Sequence, residues 1–343
     1  MPILGITASS NFTEAPSYIA VATNISPYKF VYPWTNASGF GTKYADSSAG
    51  QAFRSTDITF SPSANTIVTT SIGNTFAYAF PWSASGFGTQ YGSPNLVNQT
   101  NGVAFNPAGN IAAFVEITFP YLKAYPWNPG FGTQYAAPSL PGGTGQKVSF
   151  NPAGNNIAIT TDNTNEPLRA FPWSNSTGFG TRYANVPVQS PAYGAGMGLS
   201  FNAAGNIVAF GHQSMQQVSV FPWNPGVGTR YSNPSPALNG PGSDVAFNPA
   251  GNVIAVTSNA ANYLNAWPWS NSTGFGTKYS TPSGSPSSSG TGVQFHPSGN
   301  TVAFSANASP YMFVYPWSNS TGFGTRYSNP ATLPDDGLAI AFG

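Results

Sequence analysis

The chain has 343 residues, only 6% of them charged; ten Lys and Arg against nine Asp and Glu leave a net charge of +1, and there is no cysteine. Such a chain has neither the basic field that nucleic acid or an anionic membrane attracts nor the thiols for a disulfide framework or a thiolate metal site. Its 40% hydrophobic share still allows a large core alongside 38 Gly and 32 Pro, and no apolar run approaches the roughly 20 residues of a membrane span.

In chain order, the opening "MPILGITASSNF" lacks the basic stretch and long apolar core of a secretion signal. Two strands follow, "YIAVATN" (residues 18–24) and "YKFVYPW" (28–34), and then the phrase "TNASGFGTKY". From there one block returns again and again: aromatic, Pro, Trp, a polar turn, Gly-Phe-Gly, Thr, a polar or basic residue, Tyr. Its tryptophans are Trp34, Trp82, Trp127, Trp173, Trp223, Trp269 and Trp317, at separations of 48, 45, 46, 50, 46 and 48 residues. A fixed period in the forties marks a propeller or solenoid.

One unit reads plainly from Asp244. "DVAFNP" is a strand, "AGN" a tight turn, "VIAVT" a strand apolar on both faces, "LNAWPW" a third strand, "SNSTGFGT" a turn and "KYS" a fourth strand. Nothing in it has helical periodicity. Four short strands per period predict a blade, and the whole chain, residues 1–343, a single all-β domain: a seven-bladed β-propeller with four antiparallel strands per blade. The first strand's Val-X-Phe pattern occurs six times internally and a seventh time as Ile340–Phe342 at the C-terminus. That copy is the missing first strand of the N-terminal blade, so pairing of the two terminal segments closes the ring and removes a free edge; "ILGIT" (3–7) is the rival for that strand.

On these residues the chain resembles the WD40 and related propeller repeats. "VAFNPAGNVIAV" is similar to their strand–turn–strand segment, and "LNAWPW" sits where their Trp-Asp strand ends. No Gly-His pair or Trp-Asp dipeptide recurs, so the hydrogen-bond network that staples WD40 blades is replaced by aromatic packing. The "PWSNSTGFGTRYSNP" phrasing also resembles repeat proteins of tailed bacteriophages, which implies a place in a virion.

The seven tryptophans are expected as blade cement, since periodic aromatics usually face a core; the rival is seven aromatic sugar pockets. The slot before the tyrosine holds Lys43, Gln90, Gln134, Arg182, Arg230, Lys278 and Arg326, five of the ten cations. On an outermost strand these would protect an open edge or stack on rings; the alternative is a belt for anionic partners.

The turns after first and third strands are monotonous, whereas the second-to-third turns and the links between blades vary. That variable face is where one asymmetric binding site is expected, with Glu116, Asp162, Glu166, His212, Tyr263 and Tyr311 as candidates. Most of the acids, including Glu14, Asp57, Asp244, Asp335 and Asp336, are assigned there too; Asp46 is the exception.

No metal-ligand spacing, nucleophile elbow or phosphate loop occurs, so no catalytic residue, metal or cofactor is expected. The sequence therefore predicts a non-enzymatic structural or adhesive propeller, a capsid decoration or tail-associated component of a virion, made in the cytoplasm without a signal peptide. Its partners would be other particle proteins, with a multivalent carbohydrate-binding, lectin-like propeller as the alternative; nucleic acid and membrane insertion are excluded.

Overall fold

The hairpin that begins each repeat is set by its turn. In the repeat that opens with strand Gly242–Phe247, the side-chain carbonyl of Asn248 accepts hydrogen bonds from the backbone N–H groups of Asn252 and Val253, each at 3.0 Å. This fixes the antiparallel register with Val253–Ser258, where Val245 faces Val256 and Phe247 faces Ile254. Asn106, Asn151 and Asn202 make the same pair of bonds in their repeats. Such a turn needs a side chain short enough to reach back over it. The second strand is buried along its whole length, as its unbroken apolar run requires.

A computed structural model describes residues 17–343 apart from 49, 141, 188–191 and 215–216. Repeated around a ring, the units form seven antiparallel blades without a helix among the described residues. The inner strands Ser55–Phe60, Thr100–Phe105, Gly145–Phe150, Gly196–Phe201, Gly242–Phe247, Gly290–Phe295 and Gly337–Phe342 touch one another in that circular order around a central channel. We number the blades one to seven by their tryptophans, Trp34 to Trp317. Blade one takes its inner strand from Gly337–Phe342, which pairs antiparallel with Ser17–Thr23. Tyr18 and Gly343 exchange two backbone hydrogen bonds of 2.9 Å. The closure is thus the terminal pairing expected, and the rival segment 3–7 lies outside the described residues, as does Glu14.

The fourth strand corrects the sequence reading. It is not "KYS" but the Gly-Phe pair two residues before the Thr: Gly274–Phe275 pairs with Ser270 and Trp269. The tyrosine beyond adds a single bond, from the Tyr279 N–H to the Ala266 carbonyl at 3.0 Å. The reason is steric. Gly322 has a φ of +79°, and an added Cβ would come within 2.8 Å of the Tyr279 ring of the preceding blade. The glycine that looked like part of a turn is what lets the outer strand approach its neighbour. In blades three and five, where the turn is Asn-Pro-Gly, the outer strand shrinks to one bridge, Trp127–Phe131 and Trp223–Val227.

Candidate active site

The inner strands position the site. In every one of them the register shifts near the start, so the second residue bulges out of the ladder. A bulge re-aims a side chain and interrupts pairing. The seven bulged residues are Thr56, Asn101, Gln146, Met197, Ser243, Thr291 and Leu338, one per blade, and all seven line a cavity of about 420 Å³ at one end of the channel. This mouth opens on the variable face. Three of the ring residues also bond to the start of the next inner strand: Thr56 to the Thr100 carbonyl, Asn101 to Gly145 at 2.9 Å and Thr291 to Gly337 at 2.5 Å. The rim adds Arg54, Gln99, Ile117 and Thr144. Among the described residues no acid lines the mouth.

One residue deeper, the third position of each inner strand reads Asp57, Gly102, Lys147, Gly198, Asp244, Gly292 and Ala339 around the ring. Three charges are therefore concentrated on one level of the channel, with glycines between them. The gap is required: a Cβ on Gly198 would lie 2.3 Å from Asp244 Cα. Lys147 Nζ donates to Asp57 Oδ1 at 2.7 Å. The second oxygen of Asp57 accepts from the Val103 N–H at 3.1 Å, and Asp244 Oδ2 accepts from the Val293 N–H at 3.0 Å. Each carboxylate thus caps the inner strand of the following blade.

Burial pushes the Asp244 carboxyl up to about 6; the Lys147 charge and the backbone N–H groups of Val293 and Val245 offset only part of that cost. Burial also works against the Lys147 ammonium, but Asp57 and Asp244 outweigh it and hold its pKa above the ordinary lysine value. The 26% of the Lys147 side chain that stays accessible opens onto the mouth and the 190 Å³ channel below, both of which it lines. The level holds a cation between two acids, one of them poised to exchange a proton near neutral pH. Groups with that property are the raw material of acid–base chemistry.

The sequence candidates lie elsewhere. Glu116 is fully buried: it accepts from the Val97 and Asn98 N–H groups at 2.7 and 3.1 Å, pairs with Lys123 at 2.9 Å, and clamps the link between blades two and three. His212 is equally buried, between Ser214 and Ser219 at 3.0 Å each, with its pKa lowered by burial to about 4. Neither is presented to a partner. Asp162 is exposed and fixes the mouth residue Thr144 through its N–H at 2.7 Å. Glu166 gathers Arg169, Arg182 and Asn185 at 3.1, 2.9 and 2.6 Å on blade four. Tyr263 and Tyr311 are half-buried on separate blades. These six residues do not converge.

All seven tryptophans of the repeat are buried, at 1–6% exposure, so none is an open platform. Each instead meets the tyrosine of the preceding blade edge-on, with centroids 4.8–5.3 Å apart. The cation slot lies in coil beyond the two-residue outer strand, and its members are occupied locally. Lys43 pairs with Asp46 at 2.5 Å and sits over Phe30, Arg182 pairs with Glu166, and Arg230 donates to Asn233 at 2.6 Å. Lys278 and Arg326 lie over Trp267 and Phe313.

Among solved structures the chain is similar to a candidate 6-phosphogluconolactonase of Bacteroides uniformis (14% identity, TM-score 0.74, 96% of this chain and 99% of that one). It is similar also to the periplasmic gluconolactonase of Pseudomonas aeruginosa (12%, 0.70, 95% and 99%). A third is the β-propeller domain of Cps50 (Swd1) from Myceliophteria thermophila (10%, 0.64, 84% and 89%). No family model matches the sequence, and no curated protein matches it. At these identities the likeness shows the fold: a seven-bladed propeller with a WD40 propeller among its neighbours. It also corrects the functional expectation. Propellers of this build include proteins named as lactonases, so a missing motif does not make the chain a non-enzymatic virion or adhesive component, and the phage and lectin-like readings find no support in these neighbours.

Proposed function

We propose that the chain is a hydrolase that opens a lactone at the mouth of its central channel. The observation that carries this reading is the alignment of Asp57, Lys147 and Asp244 on one level beneath a mouth to which all seven blades contribute. The lactonase names of two structural neighbours point to the same class of bond.

In this reading Asp244 takes a proton from a water as its oxygen attacks the lactone carbonyl carbon. Lys147, with two of its three N–H bonds free of Asp57, stabilises the oxyanion that develops. The carbonyl then re-forms, the ring C–O bond breaks, and the ring oxygen leaves as a hydroxyl with the proton that Asp244 returns. One proton is borrowed and given back; the water is consumed, and the acid product is released. The amides and hydroxyls of the mouth hold the ring.

The test is a pH-stat assay with glucono-δ-lactone, its 6-phosphate and a series of γ-lactones, corrected for spontaneous opening. The expected result is turnover above background that rises with pH through about 6 as Asp244 loses its proton, and that falls by about 10²-fold or more in Asp244→Asn. Background rates on every lactone, or an Asp244→Asn variant as active as the wild type, would sink the reading.

A further inference from the structure

Among the described residues six large apolar side chains are exposed: Ile25, Phe53, Ile72, Val97, Phe119 and Leu333. All of them stand on the face of the channel mouth, and they come in pairs. Each of blades one to three contributes one from the link that enters it (Leu333, Phe53, Val97) and one from its second-to-third turn (Ile25, Ile72, Phe119). Among the described residues, blades four to seven contribute none. The three most exposed, Phe119, Val97 and Ile25, keep 64%, 56% and 51% of their surface in water. With the other large apolar groups among the described residues buried or half-buried, this arc of exposed ones calls for a ligand.

The arc runs into the mouth. Phe53 immediately precedes the mouth residue Arg54, and its ring lies over Gly73, where an added Cβ would meet it at 1.7 Å, next to Ile72. Val97 is pinned by the Glu116 carboxylate at 2.7 Å, and the Ile117 N–H donates to the Gln99 carbonyl at 3.1 Å. Val97 and Phe119 therefore flank Ile117, which itself lines the mouth. Exposed apolar side chains thus stand beside the polar ring on blades two and three.

We infer that this arc seats an apolar tail, and that the ligand of the mouth is an amphiphile: a lactone bearing an alkyl or acyl chain, its ring held by the polar collar and its chain laid along Ile117, Val97, Phe119 and Phe53. The inference rests on the lactone reading for the identity of the head group, but the tail seat is tested separately. Isothermal titration calorimetry of the full chain compares 4-hydroxybutanoate with 4-hydroxydecanoate, the ring-opened forms of a short and a long γ-lactone, so that no turnover is needed. The expected result is a roughly tenfold or greater advantage for the longer chain, since each buried methylene favours binding. Phe53→Ser/Phe119→Ser should abolish that advantage without changing the short-chain affinity.

Equal affinities for the two acids, or no binding of either, would overturn the tail seat, as would a chain-length advantage that survives in the double variant. Sedimentation of the same samples decides the competing occupant: a wild-type dimer that the double variant converts to monomer would make the arc an interface between copies. If the longer acid binds as expected while no lactone is hydrolysed, the tail seat stands and the catalytic reading falls.

Discussion

Asp244 and His212 are perturbed by the same force in opposite chemical senses, and the balance between them sets the response of the fold to acid. Burial raises Asp244 from 3.8 to about 6, so the native state holds a proton that the unfolded chain has lost between those values; the stability this gives is complete below about 4 and disappears as pH rises through 6. Burial lowers His212 from 6.5 to about 4, so its contribution is complete above 6.5 and disappears as pH falls to 4. Each is worth on the order of 3 kcal/mol across its window, and the windows overlap with opposite slopes. The wild type is therefore expected to show a nearly flat melting temperature between pH 4 and pH 6.5. Asp244→Asn should unmask the histidine, with stability falling on acidification, and His212→Gln should unmask the aspartate, with stability falling as pH rises. Thermal melts at half-unit pH intervals check both, and parallel curves for the three proteins would refute the assignment. Of this pair the sequence displayed only the residue types. Lys147 leaves no trace in the aromatic phrase that defines the repeat, although "DITF", "KVSF" and "DVAF" place three rare charges at one slot.

At the level of the element, the repeated phrase is a joint between blades. Four tyrosine hydroxyls, of Tyr135, Tyr231, Tyr279 and Tyr327, donate at 2.5–2.7 Å to the backbone carbonyl of the asparagine two residues after the next blade's tryptophan. The side chain of that asparagine, as Asn36, Asn175, Asn271 or Asn319, accepts from the indole N–H at 2.8–3.2 Å. Tyr91 makes the same edge-on ring contact with Trp127 but has no such hydroxyl bond among the described residues. Tyr279→Phe should then cost about 1 kcal/mol, and Tyr91→Phe close to nothing, in chemical denaturation. Equal losses would show that the hydroxyl is not what matters.

Blade two offers the converse experiment. Its shorter turn, Ser83–Ser85, has no asparagine, and the buried Trp82 Nε1 is left without a hydrogen-bond partner. Replacing those three residues by Ser-Asn-Ser-Thr should stabilise the protein by about 1–2 kcal/mol, read as a higher midpoint at unchanged denaturant slope. The strands were legible because their apolar patterns are strong. The outer strand was not, because a two-residue strand flanked by glycines has the composition of a turn, and only the neighbouring ring shows why glycine is needed.

For the whole molecule, closure is the decisive contact. Without Gly337–Phe342 the edge of Ser17–Thr23, which carries Ile19 and Val21 at 0% exposure, would be open to water and to other chains. Deletion of residues 337–343 should give a species that elutes as aggregate and is cut rapidly by protease; a monomer as resistant as the wild type would contradict this. The ring and its closure followed from periodicity alone, because seven copies of one pattern can satisfy their edges only by meeting. The channel mouth did not. It is made of one bulged residue from each of seven blades, and bulges leave no mark in a pattern of apolar alternation.

The bonding of the indoles carries a consequence for experiment. Four of the seven N–H groups are tied to an asparagine, whereas those of Trp82 and Trp223 are buried with no partner. In a proton–nitrogen spectrum these two classes should separate by chemical shift, the tied ones downfield. Trp267, whose indole N–H is also buried without a partner, adds an eighth signal from blade six beside that of Trp269. Each of the other seven reports on one blade, so deuterium uptake followed at those seven resonances in nitrogen-15-enriched protein would show at which seam the ring first lets water in.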